Sequence, residues 1–265
     1  MPGPTEEDGP PGPPVAVATA GGVATLTLDR PENRNALSVE LVDALGDALE
    51  AAMADDSVRV VVLTNTGNTF CAGADLKAAA PGVAAVEARW SFVDVLRLVL
   101  DAPKPVVGRI AGHCMAGGVG LASACDLSIA ADDVLIGFTE VRIGVAPAVI
   151  SVECLPKLRP ADARELFLTG ERVSAARAAE AGLLNRAVPR DGLDAAVGDL
   201  VAKLVRGGPV ALAAAKDLVT RITSLDRDEA FAWAAERSAA LFRSEEAAEG
   251  IAAFRERRDA AWIHR

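Results

Sequence analysis

The apolar pattern of this chain changes period along its length. Val15 to Thr19 and Val23 to Leu28 are short β-prone runs on either side of Gly21-Gly22, which predicts a hairpin. Ser38 then stands as an N-cap, and Leu41, Leu45 and Leu49 follow at helical spacing. "VRVVVLT", Val58 to Thr64, is a continuous β-branched run of the kind that fills a strand buried on both faces. A helix rich in Val and Leu is predicted from Val86 to Leu100, and Pro105 opens another strand in "PVVGRIAG". Past a glycine-rich stretch, Leu127 to Ala130 and Val134 to Phe138 read as strands, and Leu183 to Pro189 is the last strand-like run. Beyond it the period is 3.6. Residues 191–206, 209–222, 227–242 and 244–258 are Ala-rich and amphipathic. The chain therefore reads as a mixed α/β front with a β–β–α rhythm, followed by an all-helical back that folds onto its own core or onto a neighbouring subunit.

Composition narrows the classes of function. The chain has 265 residues, 51% hydrophobic and 24% charged, an ordinary globular balance. A net charge of −10 argues against bulk nucleic-acid binding, though a few local cations could still hold a polyanionic small ligand. No apolar run is long enough to span a membrane and no secretory apolar segment stands at the start, so a cytoplasmic protein is expected. The four cysteines, Cys71, Cys114, Cys125 and Cys154, form no CxxC pair, and no metal site is expected. Only His113 and His264 are available for a histidine-based triad. Residues 1–14, "MPGPTEEDGPPGPP", read as a disordered tail, 15–195 as the core and 196–265 as a C-terminal helical region.

Two glycine-containing segments follow strands and precede helices: "TFCAGADLK", Thr69 to Lys77, and "GHCMAGGVGL", Gly112 to Leu121. The first N–H groups of a helix have no partner within it and point outward. Two such starts brought together offer two donors to one oxygen, the arrangement of an oxyanion hole. Gly118-Val119-Gly120 also gives a GxG, but Ser123 stands where a dinucleotide fingerprint needs its third glycine, and there is no GxxxxGK[ST].

Those segments, with "RPENRNALS" (Arg30 to Ser38), "FTEVRIGVAPA" (Phe138 to Ala148) and "EGIAAFRERR" (Glu249 to Arg258), resemble the enoyl-CoA hydratase/isomerase (crotonase) superfamily in order and spacing, over nearly the whole chain. The resemblance implies an α/β spiral of repeated β-β-α units with a C-terminal helical trimerisation region, assembled as a homotrimer or a dimer of trimers. It implies an acyl-CoA thioester as substrate, with coenzyme A part of that substrate and no separate cofactor. By position, Ala74 and Gly117 supply the two N–H groups for the thioester oxygen. Arg34, Ala72, Asp75, Leu76 and Lys77 fall at positions that bind coenzyme A, and Phe254 and Arg257 at positions that reach a neighbour's site. The variable segment with Ala79, Ala80, Val83 and Val86 is placed beside the acyl pocket.

Hydratases of this superfamily typically use two glutamates, one of them three residues after the oxyanion glycine. Here that position is Gly120, and only the second, Glu140 in "FTEV", is kept. Hydration needs a base for the water and an acid for C2, and a single glutamate can do both by passing the water's proton on to carbon. Double-bond isomerisation needs one carboxylate, and a third reading is an acyl-CoA-binding protein without turnover. Glu153 and Asp75 are the substitute acids nearest in sequence; Glu153 is expected on an exposed helix face and Asp75 in the loop beside Ala74. A branch of the superfamily that resembles this chain in "GGVGL…CD" and "EVRIGVAPA" also carries the glycine, which suggests room at Gly120 for a substrate carboxylate.

Overall fold

A computed structural model describes residues 12–77 and 87–264. The hairpin forms as expected: β1 (Val15–Ala20) and β2 (Val23–Leu28) pair antiparallel across Gly21-Gly22. The pairing begins before β1, because the Asp29 N–H donates to the Pro14 carbonyl at 2.8 Å. α1 (Val39–Ala54) starts where the Ser38 side chain accepts from the Leu41 N–H and buries Leu41, Leu45 and Leu49.

From there the chain repeats one pattern: a long strand, a short strand and a helix. β3 (Val60–Asn65) and β4 (Thr69–Cys71) precede α2 (Phe92–Leu100). β5 (Val106–Ile110) and β6 (His113–Met115) precede α3 (Gly117–Ala124). β7 (Leu127–Ala131) and β8 (Leu135–Gly137) precede α4 (Ser151–Cys154) and α5 (Pro160–Thr169). β9 (Val173–Ser174), α6 (Ala175–Glu180) and β10 (Arg186–Val188) close the front part. The long strands form one sheet in the order β1-β2-β3-β5-β7-β10, and the short ones a second, β4-β6-β8-β9. Each turn of the spiral thus adds a strand to both sheets. The buried run Val60–Leu63, with Val106, Val107, Ile129 and Ala130, makes the centre of the core.

α2 starts later than periodicity predicts, at Phe92 rather than Val86. Ser91 and Asp94 form a reciprocal capping box there, and the Ser91 side chain fixes the first turn. β9 has no signal in the sequence; its two residues pair antiparallel with Leu135 and Ile136. α7 (Leu193–Arg206), α8 (Pro209–Arg221), α9 (Arg227–Phe242) and α10 (Glu245–Glu256) make the helical back. α7 packs on the core through Leu193 and Val197, whereas α8 and α10 each bury one alanine and α9 buries nothing within the chain. Polar ties hold this layer to the front. Lys216 reaches the Asp126 carboxylate at 2.9 Å, and Arg59 donates to the Gly207 and Trp262 carbonyls at 2.6 and 2.7 Å.

Candidate active site

β4, β6 and β8 run parallel, so their carboxyl ends open on the same edge of the small sheet. Ligands in open α/β sheets bind beyond that edge. Three segments leave it: residues 72–77, the turn into α3, and a short 3₁₀ helix over Thr139–Ile143. The first is held extended by the loop before α1. Ala72 N–H donates to the Arg34 carbonyl at 3.1 Å, Leu37 N–H to the Gly73 carbonyl at 2.8 Å, and Leu37 forms a parallel bridge with Ala74. Buried Asn35 fastens that loop to β4 through the Thr69 carbonyl at 2.8 Å. Asp75 accepts from Asn33 Nδ2 at 3.3 Å and from the Lys77 N–H at 3.0 Å.

The two glycine segments meet. A Cβ on Gly73 would stand 2.7 Å from the Ala116 Cβ and 3.1 Å from the Gly117 nitrogen, so only glycine permits this approach. Gly73 has φ +87°, a left-handed backbone that also favours glycine. Ala116, just before α3, is held at φ 51° and ψ −126°, which is uncommon for a residue with a Cβ. That turn presents the Gly117 N–H at the start of α3. Among the described residues neither the Ala74 nor the Gly117 N–H donates to a protein acceptor.

A cleft of about 720 Å³ lies over these segments. Ala72, Ala74, Leu76 and Ala116 line one side, and Thr139, Glu140, Arg142, Ile143 and Val145 the other. Gly170, Glu171 and Arg172 complete it, carried in by the pairing of β9 with β8. Glu140 is half-buried. Its Oε2 is fully covered and has no hydrogen-bond partner in the protein, and desolvation raises its pKa. A strand-edge cleft with two unpaired N–H donors and one carboxyl group of raised pKa suits chemistry in which charge builds on an oxygen while a proton moves nearby.

Comparison with known proteins shows the family. Residues 18–265 match the family model described as Enoyl-CoA hydratase/isomerase. A carnitinyl-CoA dehydratase of Salmonella arizonae is 36% identical over 251 residues, 91% of this chain and 95% of that protein. The chain belongs to the enoyl-CoA hydratase/isomerase family. The crystal structure of an enoyl-CoA hydratase of Mycobacterium smegmatis superposes with a TM-score of 0.85 at 34% identity, covering 95% of this chain and 99% of that one. One from Mycobacterium tuberculosis does so with a TM-score of 0.85 at 32% identity, covering 94% and 98%.

Other family positions are distributed as follows. Arg34 and Lys77 are exposed beside the Ala72–Leu76 segment, and the Leu76 side chain is 60% exposed at the cleft mouth. Phe254 and Arg257 are exposed on α10 and at its C-cap, and do not line the cleft of their own chain. Ala79, Ala80, Val83 and Val86 lie outside the described residues. The four cysteines are free and buried, with burial pushing the Cys71 and Cys154 thiols up to about 12. Among the described residues no cluster of His, Cys, Asp and Glu could hold a metal. No helix of the described residues is long and apolar enough to cross a membrane.

Two expectations fail at Gly120. Glu153 is buried, only 6% exposed, because the loop after Glu140 turns α4 back onto α3. Nor is there open room: a Cβ on Gly120 would meet Ile150 Cγ2 at 2.2 Å and Glu153 Oε1 at 2.8 Å. The side-chain space at position 120 is filled by Glu153 of α4 and by Ile150 at its N-cap. Arg142 and Arg172 are further cleft residues that sequence reasoning missed. Arg142 lies inside the quoted "FTEVRIG", but Arg172 arrives only through the β8–β9 pairing, which the sequence does not signal.

Proposed function

We propose that this protein is an acyl-CoA lyase that hydrates a 2-enoyl-CoA to the 3-hydroxyacyl-CoA. The observation that carries the reading is the meeting of the Gly73 and Ala116–Gly117 backbones beside Glu140. In this reading the Ala74 and Gly117 N–H groups hold the thioester oxygen. As water adds at C3, negative charge moves onto that oxygen, and each fixed donor contributes about 2.7–4 kcal/mol to the transition state. Glu140 takes a proton and returns one at C2. Its raised pKa brings it closer to the operating pH, where proton exchange in both directions is efficient. Arg34 and Lys77, with Ala72, Asp75 and Leu76 between them, would receive the anionic coenzyme A portion. Phe254 and Arg257 would serve a neighbouring subunit of a homotrimer or a dimer of trimers. No cofactor beyond coenzyme A in the substrate is needed.

The glycine at position 120 favours a second reading, a Δ3-Δ2-enoyl-CoA isomerase in which Glu140 alone removes a proton at C4 and returns it at C2. Paired assays separate the two. Loss of conjugated absorbance with crotonyl-CoA marks hydration, and its appearance with a 3-enoyl-CoA alone marks isomerisation. In either case Glu140→Gln is expected to lower turnover by ~10²–10⁴-fold while thioester binding, measured by calorimetry, is retained. Equal turnover in Glu140→Gln would refute both.

A further inference from the structure

We propose that Glu153 is the second carboxylate of this active site, holding the attacking water from α4 where the family pattern places an acid on α3. This inference rests on the hydratase reading above. Gly117 and Gly120 stand one helical turn apart on one face of α3. Beside Ile150, the atom that a Cβ on Gly120 would meet is Glu153 Oε1, 2.8 Å away. That separation is comparable with the reach of a carboxylate oxygen from its own side chain's Cβ. Glu153 therefore brings a carboxylate oxygen within the radius that a short acidic side chain at position 120 would reach.

The surroundings of this oxygen support a chemical role. It is fully covered and has no hydrogen-bond partner in the protein; Glu140 Oε2 is the other such carboxylate oxygen among the described residues. A buried acceptor without a partner is costly and uncommon in a group kept for packing alone. The Cys154 thiol feels the charge of both glutamates. Few other charges face Glu153. α3 carries no titratable side chain, and the Cys154 thiol is neutral. The Lys157 ammonium is turned to the Ser123 and Cys125 carbonyls. Burial pushes the Glu153 carboxyl up to about 7, so at neutral pH it exchanges a proton readily.

The step is balanced as follows. Ionised Glu153 takes a proton from water as the water oxygen bonds to C3, and the C2=C3 π electrons move into the thioester enolate. Protonated Glu140 delivers its proton to C2 as the enolate collapses. Glu153 ends protonated and Glu140 ionised, and passage of that proton back from Glu153 to Glu140 restores the starting state.

The test is the pH profile of crotonyl-CoA hydration in the wild type, Glu140→Gln, Glu153→Gln and Glu153→Asp. A pair that must hold one proton between its two members predicts a bell-shaped profile whose two limbs belong to the pair. Glu153→Gln is expected to lose at least ~100-fold in kcat with KM little changed and to lose one limb of the profile, and Glu153→Asp to recover part of both. A Glu153→Gln enzyme with wild-type kcat and both limbs intact overturns the inference and leaves the hydratase reading standing. So does a loss of rate that leaves the profile's shape unaltered, which marks a purely structural role. A wild type that does not hydrate crotonyl-CoA overturns the hydratase reading, and this inference with it.

Discussion

Ala116 carries the sharpest local tension in the site. Its φ of 51° and ψ of −126° aim the Gly117 N–H outward, yet nothing about an alanine favours that conformation. Such strain costs on the order of 1–3 kcal/mol, and a glycine's extra freedom in the unfolded chain takes back about 0.5–1 kcal/mol. Ala116→Gly is therefore expected to stabilise by about 1 kcal/mol in urea denaturation, and Ala116→Val, with more bulk at the same φ, to destabilise. Gly73→Ala goes the other way for a different reason. Its Cβ would meet that of Ala116 at 2.7 Å, so the two segments must part. A loss of about 1–3 kcal/mol is expected, together with impaired turnover as the Ala74 and Gly117 donors separate. Gly120→Glu, the change that would restore the family's acid, needs Ile150 to move first, since Ile150 Cγ2 stands 2.2 Å from the new Cβ. The family resemblance named Ala74, Gly117 and Glu140 by their positions in short motifs, and the structure brings the segments that carry them to one cleft. Residue-scale reading of the sequence placed Glu153 wrongly because burial there depends on how α4 lies against α3, and a helix of four residues has no period to read.

At the level of elements, the site exists because three short parallel strands end together, and little of that was audible in the pattern. β3, β5 and β7 announce themselves as β-branched or apolar runs. β4, β6 and β9 have two or three residues each, too few to show alternation. The order strand, glycine, helix marked the two segments that hold β4 and β6, and nothing marked β9. α4 adds a consequence for stability that its length hides. Burial holds the Glu153 carboxyl at about 7 when folded, above its ordinary 4.5. The folded protein thus binds that proton more tightly than the unfolded chain does. This contribution to stability is complete below the unfolded pKa and is lost as pH rises through the folded one. Urea midpoints are expected to fall between pH ~5 and ~8 in the wild type, and the fall to shrink in Glu153→Gln, which cannot ionise. A pH dependence unchanged by that substitution would place the titration elsewhere.

Over the whole molecule the apolar surface is unevenly settled. The front part buries most of its large apolar side chains, with Leu168 and Val152 among the exceptions at 76% and 70% exposed, whereas Phe231, Phe242 and Phe254 on α9 and α10 are between 72% and 85% exposed, and Val219 on α8 is 79% exposed. These helices are amphipathic in sequence, and among the described residues nothing covers these large apolar side chains, the mark of an interaction surface. An assembly through this layer, the homotrimer or dimer of trimers expected from family resemblance, would cover them. It would also bring Phe254 and Arg257 to a cleft that they do not line in their own chain. Phe242→Glu is accordingly expected to shift the sedimentation coefficient toward that of the monomer, because a charge buried at an apolar contact is strongly disfavoured. If α10 serves a neighbour's nucleotide site, the same variant should raise KM for crotonyl-CoA. It should leave KM unchanged for crotonyl-pantetheine, which lacks the nucleotide. Equal losses on both thioesters would instead mean that the assembly supports the catalytic loops, and an unchanged sedimentation coefficient would remove Phe242 from any interface.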